Sequence, residues 1–472
     1  MTRLFAGVGS SMGNLRLPAG ARTAKVGLVL GATAFLALVL LPLPGVPSMA
    51  RRMMAVALLM ATWWISEAIP LAATSLLPLA LLPFLGIASA SQAAAPYANH
   101  LIYLFMGGFM LAQAMQRWNL HRRLALHIVR VVGTSPSRVV LGFMFASAFL
   151  SMWVSNTATA AMMMPLGLAV IQQVAEAVRA QGLPSAEASR LGHRTAPREG
   201  SSSQAARRAA EGAPKVSLEP GRFHFGTDLM LGIAYGASIG GIGTLIGTPP
   251  NVLLVGTLEE SYDIQVSFLR WLTFGVPLVA FFVPLVWFWL TRAVFPLEIT
   301  EIPGGSELID RQIQQLGPMG VGERRIAVLF AATAAAWMLR PIWTQWIPSG
   351  ELVTDSTIAV AAAVLAFLIP AGPGERVLNW HWAVKLPWDV LVLFGGGFSL
   401  AAGFERSGLS GWVGEQLTRF SEAPLPLFVL VIVVLIIFLT EFASNTASAA
   451  MSLPILGATA AGMGVSPLLL CI

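Results

Sequence analysis

Ser151-Met-Trp-Val-Ser-Asn-Thr-Ala-Thr-Ala-Ala-Met-Met-Met-Pro165 runs through one of the most apolar parts of the chain. It sets Ser155, Asn156 and Thr157 in a row, with Thr159 close behind, where an unpaired polar group is expensive. Further on, Thr440-Glu-Phe-Ala-Ser-Asn-Thr-Ala-Ser-Ala-Ala-Met-Ser-Leu-Pro454 brings back the same triplet in the same kind of surroundings. The offset is 444 − 155 = 289, and it holds elsewhere: Leu104-Phe-Met-Gly-Gly-Phe109 falls on Leu393-Phe-Gly-Gly-Gly-Phe398, Arg117 on Arg406, Leu120 on Leu409, Pro165 on Pro454. No gap is needed across about 60 residues, so the chain contains two copies of one unit.

The medium follows from composition. Of 472 residues, 56% are hydrophobic and only 11% charged, and mean hydropathy is +0.72. Soluble domains carry about a quarter charged residues, so this is a membrane protein. Apolar stretches near 26–46, 53–69, 72–87 and 101–133 predict four spans before the first triplet. The stretches 227–257, 270–293, 326–346, 354–370 and 388–420 predict five between the triplets. The basic N-terminus (Arg3, Arg16, Arg22, Lys25) precedes a first span rather than a cleavable signal. The single cysteine, Cys471, excludes an intrachain disulfide and a cysteine metal cluster. A net charge of +6 fits lysines and arginines gathered on cytoplasmic loops better than it fits nucleic acid. The insert 179–222 has eight Arg and Lys against four Glu and predicts a disordered cytoplasmic loop.

These readings set the expected organisation of an all-α, polytopic membrane protein. Residues 1–25 form a cytoplasmic N-terminus. Residues 26–257 make a first repeat with a re-entrant hairpin at 136–176, interrupted by the insert. Residues 258–325 hold a connecting span and a cytoplasmic linker. Residues 326–472 make a second repeat with a hairpin at 425–461. An odd number of spans between the triplets inverts the second copy, so one hairpin enters from each side of the membrane. Inverted repeats with non-helical backbone at depth are the layout of secondary transporters. The same topology puts Arg51 and Arg52 outside, against the charge rule.

Each triplet supplies hydroxyls, an amide and a helix N-terminus. These suit an anionic oxygen, and their oxygens suit a hard cation such as Na⁺. Ser151 maps onto Thr440, so each copy also has a hydroxyl four residues before its triplet. A lone triplet would more often bond the turn before it or glue helices together, but two in register favour ligands. A third polar element, Ser238-Ile-Gly-Gly-Ile-Gly-Thr-Leu-Ile-Gly-Thr-Pro-Pro-Asn251, cannot run as regular helix through Gly240, Gly241, Gly243, Gly247, Pro249 and Pro250. Thr248, Pro249, Pro250 and Asn251 are expected to support that break. No strand precedes these glycines and no Lys follows, so they are not a phosphate loop. No Ser-His-Asp order or metal-ligand cluster stands out, so no catalytic residues are expected. His121 and His193, beside arginines, read as solvated. Between Val26 and Gln173 the only acid is Glu67, which argues against a proton relay, and Glu441 reads as a structural or tuning residue.

The paired Ser-Asn-Thr triplets, Gly247-Thr-Pro-Pro-Asn251 and Trp63-Trp-Ile-Ser-Glu-Ala-Ile-Pro70 together resemble the divalent anion/sodium symporters, the sodium-coupled di- and tricarboxylate and sulfate carriers. The resemblance covers nearly the whole chain outside the insert. It implies a homodimeric elevator transporter with scaffold and transport domains, Na⁺ as coupling ion and no cofactor. It places the protein in the cell's inner or plasma membrane, embedded in the lipid bilayer, and implies no nucleic-acid partner. The implied substrate ligands are Asn156 and Thr157, with Ser444, Asn445 and Thr446. One implied sodium site uses Ser151, Ser155, Asn156 and the backbone of Gly247, the other Thr440, backbone Ala443 and Asn445. The implied activity is sodium-coupled symport of C4-dicarboxylates such as succinate, malate or fumarate, with exchange or sulfate transport as alternatives. The family's second broken helix and last span have no counterpart in the 26 residues after Thr446, which predicts a C-terminally incomplete chain that transports poorly or not at all.

Overall fold

The computed structural model describes residues 19–180, 223–299, 301–302, 305–417 and 424–472. The predicted N-terminal segment 1–25 up to residue 18, and the insert 179–222 from residue 181, lie outside the described residues, as does His193.

Helices dominate. In order they are α1 (Ala19–Leu40), α2 (Ser48–Ser66), α3 (Leu71–Thr74), α4 (Leu77–Phe84), α5 (Ala90–Ala94), α6 (His100–Arg117) and α7 (Leu120–Val132). There follow α8 (Pro136–Ser151), α9 (Asn156–Ala180), α10 (His224–Gly241), α11 (Pro249–Tyr262), α12 (Phe268–Trp289), α13 (Gly305–Gln315) and α14 (Val321–Trp343). The last are α15 (Asp355–Leu368), α16 (Trp380–Ala383), α17 (Trp388–Arg406), α18 (Leu409–Leu417), α19 (Leu425–Phe442), α20 (Asn445–Gly462) and α21 (Pro467–Cys471). One small antiparallel ribbon pairs β1 (Pro370–Gly372) with β2 (Glu375–Arg376).

The repeat seen in the sequence recurs in the helix boundaries. At the offset of 289, the start of α7 at Leu120 falls on the start of α18 at Leu409, Pro136 of α8 on Leu425 of α19, and Asn156 of α9 on Asn445 of α20. It also corrects two expected spans. The stretches 101–133 and 388–420 are not single helices but pairs, α6–α7 and α17–α18. The cause is one left-handed residue in each, Asn119 at φ 56° and Gly408 at φ 73°, and 408 − 119 is again 289. Left-handed backbone ends a helix and re-aims the chain, and Asn and Gly are the residues that adopt it most easily.

Among the described residues, three helical stretches are long and apolar enough to cross a membrane alone: Arg22–Leu40, Asn156–Glu176 and Phe268–Val294. Val321–Met338 and Arg340–Trp346, bent by 68°, make a fourth if taken together. The other expected spans are shortened by breaks such as those at Asn119, Gly408 and Ile242–Thr248.

The chain divides into two compact units. One comprises His100–Val255 and Gln265–Pro387 and is built around α8. There α10 lies along α8 with glycines at the contact: a Cβ on Gly236 would stand 2.6 Å from the Met144 carbonyl oxygen. Gly240 meets the Ala148 backbone in the same way. Phe143, Met144, Val170, Leu229, Ile233, Val279 and Val283 close the core around this pair. The α6 and α15 backbones approach as closely at Gly107, where a Cβ would be 2.7 Å from the Ala359 carbonyl oxygen. A buried ion pair ties α7 to α14: Arg123 donates to both oxygens of Glu323, at 2.6 and 3.1 Å, and to the Gly317 carbonyl at 3.1 Å. His121, on the same helix, is half-buried against the Met115 carbonyl at 3.3 Å rather than solvated, because α7 docks that face.

The other unit comprises Met1–Asn99, Gly256–Ile264 and Trp388–Ile472. Its α17 packs over the turn Ala95–Ala98 and over α3, with the Ser399 hydroxyl donating to the Ala93 carbonyl at 3.0 Å and Arg406 to the Gln92 carbonyl at 3.1 Å. Tyr97 donates to the Ser75 carbonyl under Gly395 and Gly396. The α18 and α20 backbones meet at Gly414 and Gly462. A long stripe of α19 (Leu430, Val431, Leu435, Phe438) stays exposed, which suits a lipid-facing helix.

Breaking a buried ion pair from one side strands the other charge. Glu323→Ala should therefore cost about 3 kcal/mol. The expected result is a clearly lower midpoint in thermal unfolding of detergent-solubilised protein, with Arg123→Ala giving a similar loss.

Candidate functional site

The two triplets lie in different units, and each is described in its own. In the unit built on α8, the chain turns between α8 and α9 over Met152–Ser155. Ser151 is the last residue of α8, so its hydroxyl is free to reach forward, and it donates to the Asn156 side-chain carbonyl at 2.8 Å. This orients the Asn156 amide and holds two oxygens close enough to ligate the same small cation. Ser155 caps α9, accepting from the Ala158 N–H at 3.4 Å. Thr157, the next residue, is exposed.

The predicted helix break is present: α10 ends at Gly241 and α11 begins at Pro249. The break touches the first triplet directly. A Cβ on Gly241 would collide with the Asn156 amide, and one on Gly247 would stand 3.0 Å from the Ser151 carbonyl oxygen. Ser151, Asn156 and Gly247, three of the expected ligands of one sodium ion, are therefore brought together, with Ser155 at the head of the same helix. Asn251 follows the two prolines and faces back into the break. Its side-chain N–H groups donate to the Gly241 carbonyl at 2.9 Å and the Thr244 carbonyl at 2.8 Å, tying one end of the break to the other. Thr248 accepts a backbone N–H from Asn251 at 3.2 Å, and Pro249 and Pro250 open α11, where a missing N–H costs nothing.

Other supports lie outside the sequence reading. The Thr244 hydroxyl donates to the Met152 carbonyl, joining break and tip, and Trp271 on α12 donates to the Ile242 carbonyl at 2.9 Å. Trp153, inside the tip, packs among Phe330 (centroids 4.8 Å), Phe268 (6.1 Å) and Trp337 (6.5 Å). That aromatic pad is pinned by Asp355, which accepts the Phe268 N–H at 2.8 Å and pairs with Arg340 at 3.1 Å. Distant helices supply these partners, so no local spacing announces them. Thr244 and Trp153 could have been singled out, since both stand within the two quoted motifs. Asp228, fully buried on α10 with no hydrogen bond to either carboxylate oxygen, was legible as an acid inside an apolar stretch.

The second triplet is set differently. Helix α19 continues to Phe442, so Thr440 is inside the helix and its hydroxyl turns back to the Ile437 carbonyl at 2.9 Å. Only Ala443 and Ser444 separate α19 from α20. Ala443 is extended (φ −133°, ψ 164°), the backbone conformation that frees a carbonyl from the helical ladder. Ser444 sits at the N-cap of α20 without a side-chain capping bond, followed by Asn445, exposed, and Thr446, half-buried. Thr440 thus lies in the last turn of α19, Ala443 in the connection and Asn445 at the head of α20. Glu441 is exposed next to them.

Comparison with known proteins identifies relatives over nearly the whole chain. The sodium-dependent dicarboxylate transporter SdcS of Staphylococcus saprophyticus is 41% identical over 452 residues, covering 95% of this chain and 80% of its own length. The transporter of the same name from Staphylococcus aureus strain USA300 is 39% identical over 449 residues, covering 94% of this chain and 80% of its own length. A family model described as the sodium:sulfate symporter transmembrane region matches residues 22–472. The chain therefore belongs to the sodium:sulfate symporter family and is a multi-pass integral membrane protein.

Proposed function

We propose that this protein carries C4-dicarboxylates such as succinate, malate and fumarate across the membrane together with sodium ions. The observation that carries the reading is the cluster of Ser151, Asn156 and the break at Gly241–Gly247, knitted by Asn251. It gathers neutral oxygens and amide donors without a fixed charge of its own among the ligands. A dianion held by such groups needs cations to make its removal from water tolerable, because Coulomb attraction in a low-dielectric site offsets part of the desolvation cost. The names of the two relatives support the same substrate class and the same coupling ion.

In this reading, which takes the ligands from the family resemblance, Asn156, Thr157, Ser444, Asn445 and Thr446 donate to substrate carboxylates. One sodium ion is held by Ser151, Ser155, Asn156 and the Gly247 backbone, the other by Thr440, Ala443 and Asn445. Because Ser151 occupies the Asn156 carbonyl, the Asn156 NH₂ group is left to face an anionic oxygen. The reading extends to an inverted pair of repeats and to a homodimer with an elevator motion, both supported by the family resemblance. A second reading, transport of sulfate or another divalent anion on the same ligands, is favoured by the description of the family model.

Purified protein in liposomes should take up labelled succinate when sodium is outside and not when choline replaces it, an outcome that would overturn the expectation of a poorly transporting chain. Unlabelled sulfate should compete weakly. Strong competition by sulfate would support the second reading, and sodium-independent uptake driven by internal dicarboxylate would mean exchange. Asn156→Ala and Asn445→Ala should each abolish uptake while thermal unfolding stays near wild type; retained uptake in both would sink the ligand assignment. Asn251→Leu behaves otherwise, since it strands the Gly241 and Thr244 carbonyls. The expected loss is about 2–4 kcal/mol of stability, visible as a lower unfolding midpoint before any ligand is added.

A further inference from the structure

Several hydroxyls on the helices of this protein donate to the carbonyl one turn earlier. Thr333 does so to Leu329 at 2.7 Å, Ser452 to Ser448 at 2.7 Å, and Thr459 to Ile455 at 2.7 Å. Thr159 and Ser448 do not. Thr159 is 0% exposed and Ser448 1% exposed, and neither hydroxyl oxygen has a hydrogen-bond partner. The two positions are equivalent: 448 − 159 = 289, the offset of the repeat. Each stands three residues after the triplet Asn and four after the triplet Ser, on the same helix face and one turn deeper. Thr74 and Ser147 are also buried without partners, but the same offset sets them on Ala363 and Ile436, so no second copy repeats them.

We propose that Thr159 and Ser448 are hydroxyl ligands of the two transported sodium ions, one in each copy. The inference rests on the sodium-coupled reading given above. Helical geometry separates them from the anion: Thr157 and Thr446 lie two residues earlier, about 200° around the helix, and are exposed and half-buried, respectively. Thr159 and Ser448 instead share a face with Ser155 and Asn156, and with Ser444 and Asn445. A fully buried, unshared hydroxyl oxygen suits a small dehydrated cation better than a dicarboxylate. In the first copy that face runs along α10, since Asn156 contacts Gly241 at its end and Gly167, further along the face, contacts Met230 and Ile233.

The test uses the whole protein in detergent and in liposomes. Sodium chloride, titrated against choline chloride without any dicarboxylate, should raise the unfolding midpoint of the wild type. Thr159→Val and Ser448→Ala should each raise the sodium concentration for half of that effect by about tenfold. The same shift should appear in the sodium dependence of succinate uptake, while the succinate KM at saturating sodium moves less than twofold. Thr159→Ser, which keeps the oxygen, should match the wild type. Should Thr159→Val fail to fold, Thr159→Ala, which adds no bulk, carries the same measurement. Unchanged sodium half-saturation in both copies would overturn the proposal, as would a loss confined to succinate affinity. A wild type that neither responds to sodium nor takes up succinate would refute the transport reading itself.

Discussion

Everything at the first triplet depends on how one interrupted helix satisfies its own backbone. Between Gly241 and Pro249 the regular ladder stops, and in an apolar medium each orphaned carbonyl has to find a donor inside the protein. The Asn251 amide serves two of them and Trp271 a third. Only with those groups paired can Gly247 approach Ser151 and can Gly241 lie against Asn156. The polar tip is thus a product of the break, and the break is a product of side chains that are not themselves ligands.

The two copies show how far one sequence pattern determines local chemistry. Both begin their second arm at the triplet Asn, and both turn at a left-handed residue 37 positions earlier, Asn119 and Gly408 (156 − 119 and 445 − 408). Yet Ser151 reaches forward to its Asn while Thr440 folds back on its own helix. The difference traces to two further residues of helix in α19, which move Thr440 from the helix end into its interior. Where α8 is covered by the glycine face of α10, α19 keeps a broad exposed stripe.

Legibility in the sequence followed physical range. The helix break could be read from glycines and prolines alone, because they act on their own backbone. The repeat could be read because it needs only register, and each triplet, read as a helix N-terminus, does open a helix, α9 at Asn156 and α20 at Asn445. The splits at Asn119 and Gly408 were missed: a single left-handed residue does not interrupt an apolar average taken over 30 positions. The aromatic pad under Trp153 and the Asp355–Arg340 anchor were beyond reach, since their members come from α12, α14 and α15 and share no local pattern.

The glycine contact between α8 and α10 also limits how the first tip can move. With the Gly236 and Gly240 backbones pressed on Met144 and Ala148, there is no side-chain layer to repack between these helices. They form a stiff plank, and the tip cannot open by splaying α8 away from the break. A displacement at this end that keeps those contacts would carry α8 and α10 together.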